Sequence, residues 1–215
     1  MNTPRPDPHT AFVLGGGGRW GAVEVGMLRA LTAAGITPDA VYGTSIGALN
    51  GAFYAADPTP TGVDRLEDAW RTLAEANALV PSKLDQLKRL VRLAPALVSN
   101  GPLEEWLDTN LPTRSFESLA VPFECVAASI ERAAEVWFSS GELIPALLAT
   151  SAIPGLLPPV EIGREHFYDG GLVNSGPVSH AIDRGATEIY VLQVGRIEQQ
   201  LDVPKRWYEA ALVAF

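Results

Sequence analysis

Apolar and polar positions follow two different spacings along this chain. Short apolar runs at residues 11–14 and 40–42 are typical of buried strands, because each is brief and ends at glycine or a turn-forming residue. Between them, apolar side chains recur at helical spacing over residues 21–34, and Gly35 supplies a helix-ending glycine. The same criteria predict helices at residues 48–56, 63–76, 82–93, 102–111 and 177–184, and strands at 121–129, 135–138, 165–168 and 188–195.

Strands that alternate with helices predict an α/β fold whose mostly parallel sheet is covered on both faces. A chain of 215 residues is long enough for one well-buried domain, which we assign to residues 11–215. Residues 1–10 are polar and rich in proline, so we expect a disordered tail there. Residues 203–215 have a helical pattern that stops without a cap, which leaves open whether the chain is naturally short or truncated.

The composition argues against several classes of protein. The net charge of −9 gives no support to nucleic-acid binding, because phosphates are repelled on average. A single cysteine, Cys125, excludes an internal disulfide. No stretch reaches the roughly 18 to 20 apolar residues of a membrane span. The first ten residues have no hydrophobic signal region. We therefore expect a cytoplasmic protein.

Residues 43–47, Gly-Thr-Ser-Ile-Gly, carry the first candidate chemistry. They lie between a predicted strand and a predicted helix, the setting of a nucleophile elbow. Gly43 and Gly47 permit a sharp turn and a close approach of the strand to the helix. Ser45 at the tip of the turn is the candidate nucleophile.

The glycine-rich loop at residues 15–21 allows two interpretations. Gly16, Gly18 and Gly21 fit the dinucleotide-binding fingerprint, but that site needs an acidic residue after the second strand, and Asp39 precedes it. Alternatively, unobstructed amides before a helix bind a developing oxyanion. The neighbouring Ser45 elbow favours this second interpretation.

A serine hydroxyl needs a base, and the three histidines are weak candidates. His9 lies in the N-terminal tail, and His166 lies in a short predicted strand. His180 follows Ser45 and Asp169 in the order of an α/β-hydrolase triad, so a Ser45–Asp169–His180 triad stays as an alternative.

Asp169 is the stronger candidate base. It follows a predicted strand, and Gly170 and Gly171 behind it allow the backbone to come close. An ordinary aspartate is a poor base, but partial burial raises its pKa. A hydrogen bond to Ser45 would then let it accept the hydroxyl proton during attack.

Taken together, the glycine loop, the elbow and Asp169-Gly170-Gly171 resemble the patatin-like phospholipases, a family of lipid acyl hydrolases with a Ser–Asp dyad. The resemblance covers residues 12–195 and includes the flanking stretches 150–160 and 172–178. It implies a three-layer α/β/α sandwich that needs neither metal nor cofactor. It also implies Ser45 as nucleophile, Asp169 as proton acceptor, and amides of Gly16, Gly17 and Gly18 as the oxyanion hole, with Arg19, Gly21, Gly43, Gly47, Gly170 and Gly171 as supporting motif positions.

Two positions depart from the family pattern. Trp20 occupies the place of a basic residue before the last loop glycine, with Arg19 one position earlier, and Glu24 stands where many bacterial relatives have histidine. Neither change touches the dyad. Both affect the expected charge beside the oxyanion hole, and therefore the expected head group. A non-catalytic lipid- or acyl-binding module on the same scaffold is a further alternative.

Residues 82–93 predict a basic amphipathic helix in an otherwise acidic chain. Ser82 and Asp85 give it a capping-box start, and Lys83, Lys88, Arg89 and Arg92 are its cations. Such a helix either packs its leucines on the core or lies on an anionic membrane surface. We expect a lid over the acyl pocket, formed by this helix and residues 94–98, and transient membrane contact.

Overall fold

A computed structural model of the chain describes residues 9–75 and 99–194. Its strands are β1 (Thr10–Leu14), β2 (Ala40–Thr44), β3 (Phe123–Ser129), β4 (Ala134–Phe138), β5 (Val160–Ile162), β6 (Glu165–Asp169) and β7 (Glu188–Leu192). Its α-helices are α1 (Gly21–Ala33), α2 (Ile46–Ala56), α3 (Pro60–Glu75), α4 (Gly101–Asn110), α5 (Leu143–Thr150) and α6 (Val178–Asp183). Short 3-10 turns cover Gly18–Trp20, Phe116–Ser118 and Gly170–Leu172.

All seven of these strands belong to one sheet, in the order β5-β6-β3-β2-β1-β7, with β4 paired to β3. The central strands β3, β2, β1 and β7 are parallel, whereas β4 and β6 run antiparallel to β3. Parallel strands need helical crossovers, which places helices on the faces of the sheet. The predicted mostly parallel α/β fold is confirmed.

The residues of β1 alternate between two hydrophobic clusters, one on each face of the sheet. Phe12 and Leu14 join the larger cluster, to which α1–α5 contribute. Ala11 and Val13 face the smaller one, which includes Ala181 of α6. A strand buried on both faces reads as a continuous apolar run, which explains the pattern in the sequence.

Strand β3 sets the positions of two neighbouring strands. Cys125 and Val126 pair with both β4 and β2, while residues 127–129 pair with both β4 and β6. Because a strand has two edges and β4 occupies one, β2 and β6 share the other. They run in opposite directions there, β2 ending at Thr44 opposite Val126 and β6 ending at Asp169 opposite Ala127. The carboxyl ends of β2 and β6 therefore meet.

Several element boundaries differ from the predictions for local reasons. Strand β1 begins at Thr10, inside the segment assigned to the N-terminal tail. Helix α3 begins at Pro60, three residues earlier than expected, because the Thr59 hydroxyl accepts a hydrogen bond from the Gly62 amide and proline suits the first helical turn. The predicted helices at 82–93 and 203–215 lie outside the described residues.

Candidate active site

Ser45 and Asp169 form a buried hydroxyl–carboxylate pair where β2 and β6 meet. The Ser45 Oγ–H donates to Asp169 Oδ2 across 2.6 Å, a short distance typical of a hydrogen bond to an ionised acceptor. Asp169 is fully buried, and Ser45 is only 7% exposed. The structure therefore brings together the two side chains that the sequence singles out, although 124 positions separate them.

The turn at Ser45 has the geometry of an elbow. Ser45 has φ 54° and ψ −126°, a backbone conformation that costs a non-glycine residue about 1–3 kcal/mol. A Cβ on Gly43 would lie 2.5 Å from Ala48 Cα, and one on Gly47 would lie 2.4 Å from the Leu14 carbonyl oxygen. Both flanking positions therefore need glycine, and the Gly47 contact holds the elbow against the end of β1.

Thr150, at the end of α5, fixes the backbone of Ser45. Its Oγ1 accepts a hydrogen bond from the Ser45 amide at 3.0 Å and donates its own proton to the Val126 carbonyl. Thr150 is fully buried, so water does not compete for these bonds. Sequence reasoning missed this role, because a threonine at the end of an apolar stretch carries no chemical signal. Residues 150–160 were identified only as a stretch that resembles the family.

The environment of Asp169 adjusts its acidity. Burial raises the pKa of this carboxyl from 3.8 to about 7, while the hydrogen bonds from Ser45 and the Gly171 amide lower it. Gly170 lets β3 come close, since a Cβ there would lie 2.2 Å from the Val126 carbonyl oxygen. Asp169 is thus a carboxylate that can take a proton near neutral pH.

The glycine loop lies beside the pair. A Cβ on Gly16 would lie 3.7 Å from Ser45 Cβ, but the Gly16 amide donates to the Ser175 carbonyl at 2.9 Å. Because this hydrogen bond already occupies the Gly16 amide, we do not include Gly16 among the proposed oxyanion donors. Gly17 caps and Gly18 begins a 3-10 turn, and the first amides of such a turn have no partner within it. Gly18 also has φ 54°, which favours glycine.

The two departures from the family pattern have different surroundings. Arg19 is exposed and its guanidinium lies 5.2 Å from the Trp20 ring centroid, over its face. Glu24 is fully buried and its Oε2 accepts a hydrogen bond from Asn50. Because its side chain does not reach the surface, Glu24 does not itself place a charge at the exposed part of the site.

His180 lies away from the candidate site, on the face of the sheet covered by α6. Its Nε2 is 2.9 Å from Glu124 Oε2, and its ring stacks on Trp137 at 3.5 Å. Asp169 instead bonds Ser45 and Gly171. His166 pairs with Glu131. The geometry therefore gives no support to the Ser45–Asp169–His180 triad.

Within residues 9–75 and 99–194, no group of three or more His, Cys, Asp or Glu side chains could hold a metal ion. Across the same residues, no helix has both the length and the apolar character needed to cross a membrane.

The family model of the patatin-like phospholipases matches residues 12–182, which include the loop, the elbow and Asp169. The chain belongs to the patatin-like phospholipase family. The Ser45–Asp169 pair and the glycine loop thus lie within the patatin-like part of the chain.

Curated relatives extend the comparison. The patatin-like chain is 31% identical over 188 residues to "Lysophospholipase nte1" of Aspergillus terreus, covering 87% of this chain and 12% of that protein. It is 32% identical over 190 residues to a patatin-like phospholipase domain-containing protein of Caenorhabditis elegans, covering 87% of this chain and 14% of that one. The chain therefore spans about an eighth of the length of these relatives.

A solved structure shares the fold. VipD from Legionella pneumophila superposes with a TM-score of 0.55 at 16% identity, over 86% of this chain and 49% of that one. At this identity the likeness concerns the fold alone, and it agrees with a patatin-like sandwich.

Proposed function

We propose that this chain is a serine acyl hydrolase that cleaves carboxylic esters of lipids. The observation that carries the proposal is the 2.6 Å hydrogen bond from Ser45 Oγ to a buried Asp169 carboxylate. A serine hydroxyl is a weak nucleophile unless a positioned base removes its proton as attack occurs. Asp169, with its pKa raised to about 7 by burial, is suited to that role.

The first half of the reaction forms an acyl enzyme. Ser45 Oγ attacks the ester carbonyl carbon while its proton passes to Asp169. The carbonyl oxygen becomes an oxyanion, which the amides of Gly17 and Gly18 stabilise. The tetrahedral intermediate then collapses, the bond to the alcohol oxygen breaks, and Asp169 returns the proton to the leaving alcohol.

The second half frees the enzyme. Water attacks the Ser45 ester and gives a proton to Asp169, and a second tetrahedral intermediate forms in the same amide cradle. Its collapse releases the carboxylic acid and returns the proton to Ser45 Oγ. Apart from the ester and water, the proposed scheme uses only groups of this chain.

Two observations support a lipid as the acyl donor. The curated relatives that share this domain include proteins named lysophospholipase. Beside the site, Trp20, Val23, Leu172 and Val173 are large apolar side chains between 42% and 49% exposed. The segments that carry them are joined by the hydrogen bond from Gly16 to Ser175.

Exposed apolar side chains at the rim of a site are suited to contact a lipid surface, and tryptophan favours the interface between lipid and water. We propose that they meet the membrane transiently, whereas the basic helix expected for this role lies outside the described residues. Replacing Trp20 with Ala should weaken binding to phosphatidylcholine vesicles. Ile182→Ala, which removes an exposed apolar side chain of α6, is the matched control.

A fluorophosphonate probe tests the proposed activity, since it reacts with an activated serine. Wild type should be labelled and should hydrolyse p-nitrophenyl acyl esters, and Ser45→Ala should lose both properties. Ser118→Ala, which changes an exposed serine, should keep both. Absence of labelling in folded wild type would instead favour the non-catalytic lipid-binding module.

A further inference from the structure

Glu24 is a buried carboxyl group that the proposed mechanism does not use. It lies in the first turn of α1 and is fully buried. Its Oε2 accepts a hydrogen bond from Asn50 Nδ2 at 2.7 Å, while its Oε1 is buried without a hydrogen-bond partner among the described residues. Burying a carboxyl group with an unsatisfied oxygen costs free energy, so this arrangement needs a reason.

Asn50 connects three elements through its side-chain amide. It lies on α2, the helix that begins next to Ser45. Its Nδ2 donates to the Gly21 carbonyl at 2.9 Å as well as to Glu24, and its Oδ1 accepts from Trp70 Nε1 of α3 at 2.8 Å. The indole N–H is a donor only, so Oδ1 must face Trp70 and Nδ2 must face Gly21 and Glu24.

Gly21 is the last glycine of the loop that lies beside Ser45. A Cβ on Gly21 would lie 2.4 Å from Ile46 Cγ1 and 3.0 Å from Trp70 Cζ2, so the loop packs directly on the residue after the nucleophile. The Asn50 bond to the Gly21 carbonyl holds this contact from the α2 side. The network therefore joins the end of the glycine loop to the helix that carries the elbow.

We propose that Asn50 is a positioning residue, held by Glu24 and Trp70, that fixes the glycine-loop amides relative to Ser45. The inference rests on the proposed acyl hydrolase function. Amides aimed at a developing oxyanion act through their position, and a displacement of about 1 Å can cost on the order of 10²-fold in rate. The Asn50 bonds to Gly21 and Glu24 are buried, so water competes little with them, whereas the Trp70 bond is partly buried.

Glu24 acts in this network as a neutral acceptor. Burial raises the pKa of its carboxyl to about 8, although the Asn50 hydrogen bond lowers it. Among residues 9–75 and 99–194, the groups that bond to it directly or through Asn50 are polar but uncharged: Asn50 of α2, Trp70 of α3 and the Gly21 carbonyl of α1. The charged Arg29 of α1 pairs instead with Asp64 and Glu67 of α3.

The test compares Asn50→Ala with a matched control between the same two helices. Thr32 of α1 and Tyr54 of α2 share a side-chain hydrogen bond of 3.1 Å, so Tyr54→Phe removes an interhelical bond that does not reach the loop. Asn50→Ala should lower kcat for a p-nitrophenyl ester about 10- to 100-fold with KM within about threefold. Tyr54→Phe should leave kcat within about twofold. Hydrogen exchange of a peptide covering residues 15–21 should accelerate in Asn50→Ala and not in the control.

Glu24 provides a rescue experiment. Glu24→Gln keeps an oxygen that accepts from Asn50, so it should retain kcat within about twofold at pH 7, whereas Glu24→Ala should lose about tenfold. Should Asn50→Ala fail to fold, Trp70→Phe removes one donor to Asn50 and should give a smaller kcat loss in the same direction.

The experiments distinguish a failure of the proposed function from a failure of the inference about Asn50. If Ser45→Ala retains the wild-type hydrolysis, the proposed function itself is wrong. If Ser45→Ala is inactive but Asn50→Ala, or Trp70→Phe in its place, matches Tyr54→Phe in kcat and in loop exchange, the network is merely structural and the inference is overturned.

Discussion

Two buried carboxyl groups, Asp169 and Glu24, bond to residues at or after the elbow: Asp169 accepts from Ser45, and Glu24 accepts from Asn50 of α2. Both are fully buried, and burial raises both pKa values, to about 7 and about 8 respectively. Asp169 has a donor on each oxygen, Ser45 Oγ and the Gly171 amide, whereas Glu24 has only the Asn50 amide and an unpartnered Oε1.

The two groups differ in how far hydrogen bonds offset the effect of burial on the pKa. Hydrogen bonds to the charged form favour ionisation, so Asp169 has a substantial carboxylate population at neutral pH. Glu24 lacks a second donor and remains mostly protonated there. In the proposed mechanism Asp169 is therefore the base, and Glu24 is a neutral part of the scaffold.

The largest expected effect comes from the matching amide substitutions. Asp169→Asn should lower kcat at least about 10³-fold, because an amide cannot accept the Ser45 proton. Glu24→Gln should change kcat about twofold at most at pH 7. Steady-state hydrolysis of a soluble ester measures both, and equal losses would show that the two carboxyls do not have different roles.

Thr150→Val tests whether the alignment of Ser45 with Asp169 depends on Thr150. Valine keeps the volume of threonine but removes the acceptor for the Ser45 amide and the donor to the Val126 carbonyl. We expect kcat to fall about 10- to 100-fold, because Ser45 Oγ then loses its alignment with Asp169. Circular dichroism should show a retained fold, and unchanged kcat would remove Thr150 from the site.

The pH dependence of kcat/KM reports on Asp169. Its folded pKa of about 7 means that the carboxyl is protonated, and inactive as a base, below that pH. Activity should therefore rise about tenfold per pH unit up to about pH 7 and then level off. Glu24→Gln should show the same rise of kcat/KM below about pH 7. If the substitution shifts the pH of this rise, the titrating group is Glu24 and not Asp169.

The last prediction concerns stability as pH rises toward about 8, where activity measured at pH 7 is not affected. The folded pKa of Glu24, about 8, lies above its ordinary value of 4.5, so the folded state holds the proton more tightly than the unfolded state. Its contribution is fully present below pH 4.5 and is lost as pH rises through about 8. Thermal unfolding should show Glu24→Gln gaining on wild type between about pH 5 and about pH 8, with the Asp169 contribution common to both.

Much of the sheet and the candidate site could be predicted because their signals are local. The apolar run of β1 and the glycines around Ser45 report burial and sharp turns directly. Helix α5 was missed because residues 143–150 are apolar on all sides and contain Pro145, so no helical period shows. The antiparallel β5 escaped prediction because it has only three residues.

The partners of buried polar groups were harder to predict. Nothing near Thr150 in sequence reveals that it accepts the Ser45 amide, and nothing near Glu24 reveals Asn50. Thr150 and Ser45 are 105 positions apart in the sequence, and Glu24 and Asn50 are 26 positions apart. Both contacts form only after the helices have packed. Position in the fold, rather than residue type, gives these side chains their roles.

The meeting of β2 and β6 on one edge of β3 has a consequence for how the domain tolerates change. Consecutive residues of β3, Val126 and Ala127, set the separation of Ser45 and Asp169. Insertions or deletions in the loops between β2 and β6 can then alter the surroundings of the substrate. The distance between the Ser45 hydroxyl and the Asp169 carboxylate stays constant. Loop exchange between relatives is accordingly a practical route to new ester preferences on this scaffold.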